Sequence, residues 1–278
     1  MYSESVQKKI YHGITFGKRG SIMFERIIFE KLNEHLWIMD DNHEATGYLV
    51  VGQDRALVID TMNGYEDVRA VVRTVTDLPV MVVNTHGHCD HIYGNIYFDK
   101  AYLNPKDNEI AKKHMSFPDF VTALKERGAV MPPFSPIHGG EVLDLGGLTI
   151  EVHEIPGHTP GGIMLYIRED RILFTGDSIN HHLWMQLEES LMLMDYLKVL
   201  DGLEAVFQKT DYILHGHARG FDDISLVYKL KKGVEELVNQ TGRDITDADP
   251  EYKWFGGCDK IHQFDDDGSA ICYSLSKL

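Results

Sequence analysis

The chain has 278 residues, 43% of them hydrophobic and 25% charged, and a net charge of −16. That length buries a sizeable core, as one large domain or two small ones. The acidic balance argues against a nucleic-acid surface and against an anionic membrane partner.

In chain order, residues 1–30 mix Lys, Glu and Gly with few periodic apolar positions, and read as a lead-in to one domain over 31–278. Residues 1–25 hold no apolar core of a signal peptide, and no run of about 18 apolar residues occurs anywhere. Cys89, Cys258 and Cys272 are odd in number and widely spaced. No disulfide framework follows, and the expected location is the reducing cytoplasm. Strands are predicted at 35–39, 47–51 and 55–60, with Gly52-Gln53-Asp54 as the hairpin turn. A helix follows at 65–76, with Val68, Val71, Val72 and Val75 on one side. The apolar run Val80-Met81-Val82-Val83 reads as a buried strand, and 101–103 as another, followed by a helix over 105–115.

Residues 116–140 carry four prolines and a Gly pair around a helix near 119–126. Met131, Phe134 and Ile137 in this segment either line a pocket or fold back on the loop itself. Strands resume at 142–145, 148–155, 162–167 and 171–175. A helix is predicted over 188–207 with a break at Gly202, then a short strand at 212–214. A second helix covers 221–240, with Ile224, Val227, Tyr228, Val234, Leu237 and Val238 inward and Gly242 beyond its end. A hairpin at 260–264 and 270–274 closes the pattern.

Chemistry concentrates directly after Val83, where His86, His88, Asp90 and His91 fall within six positions. In extended backbone His86, His88 and Asp90 share a face, and His91 needs a turn to join them. So many imidazoles and carboxylates packed together are awkward to satisfy with protein partners alone, which points to a metal. Three later segments each end a strand, turn at a glycine and present a ligand-type residue: Pro156-Gly157-His158-Thr159-Pro160-Gly161, Thr175-Gly176-Asp177 and His215-Gly216-His217. Each alone is weak, because Asp after Gly is commonly a turn residue. Together, in this order, they form a strong signature.

The set resembles the metallo-β-lactamase superfamily over roughly residues 35–220. The resemblance implies an α/β fold of the αββα type, two mixed β-sheets face to face with helices outside. It also implies two divalent ions. One is held by His86, His88 and His158, the other by Asp90, His91 and His217, and Asp177 bridges them. Five neutral imidazoles and two carboxylates suit zinc, with iron or manganese compatible. The implied reaction is hydrolysis of a small ester, thioester or lactone through a hydroxide shared by the metals, with Asp90 managing the proton. Alternatives are a single-iron oxygenase of the persulfide dioxygenase type, a phosphodiester hydrolase, or a metal-binding scaffold without turnover.

Departures narrow the resemblance. True β-lactamases of this fold place Cys or Ser where Asp177 stands. Acyl-homoserine lactonases carry a tyrosine soon after the bridging aspartate, whereas this chain reads Ser178-Ile179-Asn180-His181-His182. Glyoxalase II relatives add a basic C-terminal helical domain, which the acidic remainder here does not supply. Asn180, His181 and His182 are candidates for substrate contact, His181 as a proton donor, against the reading of a polar loop. Trp184, Met185, Phe134 and Trp254 are either pocket walls or core. Cys89 reads as a spacer among ligands, and His215 as a buttress of the His217 turn. The expected partner is a small molecule, with no nucleic acid and no membrane; a homodimer is compatible.

Overall fold

Residues 25–239 and 257–278 are described by a computed structural model. The strands run β1 Ile27–Lys31, β2 Leu36–Asp41, β3 Thr46–Val51, β4 Ala56–Ile59, β5 Val80–Val83, β6 Ala101–Leu103 and β7 Phe134–Pro136 in a first sheet. Its order follows the sequence, antiparallel as far as β4 and parallel from there to β7. The second sheet holds β8 Val142–Asp144, β9 Thr149–Glu154, β10 Ile163–Ile167, β11 Ile172–Gly176, β13 Tyr212–His215 and β14 Asp222–Asp223. Within it only β11 and β13 are parallel. Helices α1 Val68–Arg73, α2 Cys89–Ile92, α3 Asn108–Met115, α4 Pro118–Arg127, α5 Leu193–Gly202, α6 Glu204–Phe207 and α7 Ser225–Asn239 complete the layers.

The layering follows from side-chain alternation along strands that are buried on both faces. In β4, Leu57 and Ile59 face the second sheet, while Ala56 and Val58 join Val68, Val71 and Val72 of α1. In β10, Ile163, Leu165 and Ile167 enter that same inter-sheet core. Its intervening residues Met164 and Tyr166 pack with Leu193, Tyr196 and Leu200 of α5 and Leu230 and Val234 of α7. Helix, sheet, sheet and helix therefore stack in the expected αββα order.

Several details differ from expectation. Strands begin at Ile27, inside the supposed lead-in, because β1 pairs with β2 in register from Ile27 opposite Asp41. The helix expected over 65–76 is confined to α1, which starts where Asp67 accepts from the Ala70 N–H. The helix expected from 188 starts only at Leu193. Tyr228 is exposed rather than inward. Phe134 lies in β7 and packs on the core, and Ile137 is wholly buried in the inter-sheet core, so these two residues serve the domain core rather than a pocket or a loop folded on itself.

A third sheet is the main surprise. β12 His182–Met185 pairs in parallel with β16 Ala270–Tyr273, which pairs with β15 Lys260–Gln263. Met185 is therefore core, and Trp184 sits in a strand. Residues 1–24, Gly242 and Trp254 lie outside the described residues. Among the described residues no helix is long and apolar enough to cross a membrane.

Candidate metal centre

The seven expected ligands come from four loops at one end of the two sheets. β5 delivers His86 and His88, and α2 carries Asp90 and His91. His158 lies between β9 and β10, Asp177 follows β11, and His217 follows β13. His86 and His88 share a group as expected, but the backbone bends through residues 85–87 instead of staying extended, and Asp90 leaves that group. The chain becomes helical at Cys89, and this turns Asp90 toward His91 instead of toward His86.

Two groups result. In the first, His88 Nδ1 lies 3.1 Å from His86 Nε2 and 2.9 Å from His158 Nε2. In the second, Asp90, His91, Asp177 and His217 each turn one ligand atom inward. Asp177 Oδ2 lies 3.1 Å from His217 Nε2, 3.5 Å from His91 Nε2 and 3.9 Å from His158 Nε2, so it stands between the groups.

The side chains present suit cations. Within this cluster His91 Nε2 and Asp177 Oδ1 are buried with no hydrogen-bond partner, although buried polar atoms are normally satisfied. A Cβ added at Gly216 would sit 2.3 Å from Asp177 Oδ1 and 2.5 Å from His91 Cε1, so only glycine keeps that space open. Nitrogen and carboxylate donors in threes and fours match borderline divalent ions such as zinc.

His215 accepts from the His217 N–H as the expected buttress, but the other residues behind the ligands were not foreseen. Asp60, at a left-handed φ of 59° just past β4, accepts from His91 Nδ1 at 2.9 Å and from the Thr85 N–H and hydroxyl at 2.7 Å each. Asp107 is buried and accepts from the Gly87 N–H, the Gly161 N–H and the Thr159 hydroxyl, tying the His86–His88 loop to the His158 loop. Glu189 accepts from His88 Nε2 at 3.1 Å, which turns Nδ1 of that ring toward the first group. His158 and His217 direct Nδ1 to the carbonyls of Trp184 and Glu44, leaving Nε2 facing the cluster. Such partners fix ring orientation and tautomer.

The fields of the two groups differ. Burial, then the neighbouring rings His91 and His88, hold His86 well below the ordinary imidazole range, and burial with His88 holds His158 at about 4. In the second group burial acts the same way on His217, but Asp177 and Asp90 overcome it and lift His217 to about 9. His91 is raised likewise by Asp90, Asp177 and Asp60. Burial and Asp90 push the Cys89 thiol up to about 12, which fits a spacer.

His181 stands apart from the seven. Its Nε2 meets Asp222 Oδ1 at 3.0 Å and its Nδ1 meets Ser269 Oγ at 2.6 Å, so both nitrogens are engaged away from Asp90 and Asp177. Asn180 is buried beside Asp177, and its Oδ1 has no partner. His182 is exposed at the start of β12.

Comparison with known proteins agrees with this architecture. The chain is 26% identical over 263 residues to the acyl-coenzyme A thioesterase MBLAC2 of Bos taurus, covering 82% of this chain and 87% of that one. Against the protein of the same name from Gallus gallus it is 28% identical over 172 residues, 51% of this chain and 62% of that one. The crystal structure of a metallo-beta-lactamase from Erythrobacter litoralis superposes with a TM-score of 0.58 at 21% identity, covering 77% of this chain and 99% of the other. The family model described as the metallo-beta-lactamase superfamily matches residues 43–189, more than half of the chain. The chain therefore belongs to the metallo-beta-lactamase superfamily and is a metal-dependent hydrolase.

Proposed function

We propose that this protein hydrolyses a small-molecule thioester, with esters and lactones as neighbouring substrates, using two divalent ions, zinc first among them. The observation that carries this reading is the pair of convergent donor groups sharing Asp177. In this reading His86, His88 and His158 hold one ion, and Asp90, His91 and His217 the other, with Asp177 common to both. Bound divalent ions supply Lewis acidity and an activated water at neutral pH.

The chain's own groups have separate tasks. Asp90 is held well below the usual carboxylate range, because His91 and His217 outweigh the effect of burial. At neutral pH it is ionised and placed to accept a proton rather than to give one. Asp60 and Asp107 keep the loops in register while substrate binds. Thioesters come first because relatives matching most of this chain are named acyl-coenzyme A thioesterases.

The test is metal analysis of the purified protein, followed by a panel of acyl-coenzyme A thioesters, lactones, aryl esters and phosphodiesters on the same sample. Two divalent ions per chain and thioester turnover that chelation abolishes are expected. A single iron with oxygen consumption on a persulfide would replace this reading with an oxygenase.

A further inference from the structure

His181, His215 and Asp222 form another group of ligand-type side chains, their donor atoms within 4.8 Å of one another. Their hydrogen bonds argue against a third cation. The backbone N–H of His217 reaches His215 Nδ1 at 3.2 Å. An N–H can only donate, so Nδ1 accepts and the proton of the neutral ring sits on Nε2. His215 Nε2 in turn lies 3.3 Å from Asp222 Oδ2, and the other carboxylate oxygen takes the His181 Nε2–H. A ring that donates through Nε2 while accepting through Nδ1 has no lone pair left for a metal.

We propose that Asp222 is a positioning residue for His217, acting through the tautomer of His215. By accepting the Nε2–H, Asp222 leaves the Nδ1 lone pair facing the His217 amide. That bond, the Tyr48 hydroxyl on the His215 carbonyl at 2.6 Å and the Glu44 carbonyl on His217 Nδ1 at 2.9 Å together hold the ring toward Asp177. In the opposite tautomer Nδ1–H would point at the amide, two donors would collide and the loop would shift. The proposal rests on the reading of His217 as a ligand of the second ion.

The test is a zinc titration against a chromophoric chelator, with cobalt(II) absorption as a spectroscopic reading of the second ion, on four proteins besides the parent. Asp222→Ala weakens the second ion by about 10–100-fold and leaves the first unchanged. His215→Asn puts an amide oxygen where Nδ1 stood and binds the second ion as the parent does. His215→Gln keeps a donor for Asp222 but not that acceptor, and behaves like Asp222→Ala. In the His215→Asn background, Asp222→Ala adds no further loss, because the acceptor no longer depends on a tautomer. The proposal is overturned if Asp222→Ala binds the second ion as the parent does, or if its loss is equal in both backgrounds. Should Asp222→Ala fail to fold, the Asn and Gln variants decide: equal affinities overturn the proposal, and loss confined to Gln supports it. A parent that takes up no second ion would instead overturn the underlying reading, and is recognised before any variant is made.

Discussion

The two donor groups sit side by side but in unlike surroundings. The first is three buried imidazoles, and burial with neighbouring rings holds His86 and His158 below the ordinary imidazole range. The second mixes two imidazoles with two carboxylates, and His217 there is 37% exposed. A cation entering the first group finds lone pairs ready. One entering the second must displace protons that Asp177 and Asp90 hold on His91 and His217. In the proposed two-ion reading, the same kind of ligand would hold an ion more firmly in the first group than in the second, a few ångströms away.

The most drastic way to erase that contrast is Asp177→Ala, because this carboxylate lies between the groups. Turnover should fall by at least about 10³-fold and the second ion should be lost. Near-parental kcat/KM with full metal content would show that the groups do not share a residue. Swapping the supporting carboxylates sharpens the comparison. Asp60→Asn should weaken the second ion by about 10–100-fold, and Asp107→Asn the first, each read by chelator competition. Equal loss of both ions in either variant would mean that the groups are one unit.

Acidity gives a third reading. His217, raised to about 9, carries a proton throughout the neutral range, so affinity for the second ion rises with pH until about 9. The slope is up to about tenfold per pH unit for each proton displaced. His158, lowered to about 4, and His86, also lowered by burial, add no slope to first-ion affinity between pH 6 and 9, so that slope should be the shallower of the two. Zinc titrations across that range would break the comparison if both slopes were equal. The smallest effect belongs to Glu189→Gln. An amide oxygen still accepts from His88 Nε2, and only the charge is lost, so first-ion affinity should drop by less than about tenfold.

How much of this could be read from sequence depended on distance along the chain. His86, His88, Asp90 and His91 lie together, and the glycine turns at 157, 176 and 216 mark where their partners emerge. The supporting residues carry no such mark. Asp60, Asp107 and Glu189 lie 31, 20 and 101 positions from the His91, Gly87 and His88 groups that they bind, each an ordinary acid in its own segment. The individual strands were legible as apolar runs between turn residues, whereas the αββα layering came only from the resemblance carried by the ligand motifs. Of the third sheet the β15–β16 hairpin was legible, but the addition of β12 was not, because β12 has only four residues and its partner lies far downstream. His181 reads in sequence as a candidate proton donor beside Asp177, and only the position of Asp222 and Ser269 reveals what its ring meets.

The parallel pairing of β12 with β16 bears on how the protein is made. His181 and Ser269 are 88 positions apart, yet the segment just past Asp177 gains its outer neighbour only when they meet. Such remote pairing is slow to form. During synthesis the two main sheets can close once β14 has emerged, but translation has to pass residue 273 before β12 is covered. Until then Leu183 and Met185 would be open to other nascent chains. A chain that stops short of β16 would therefore present the seven donor residues beside an uncovered strand, a substrate for chaperones rather than a finished protein.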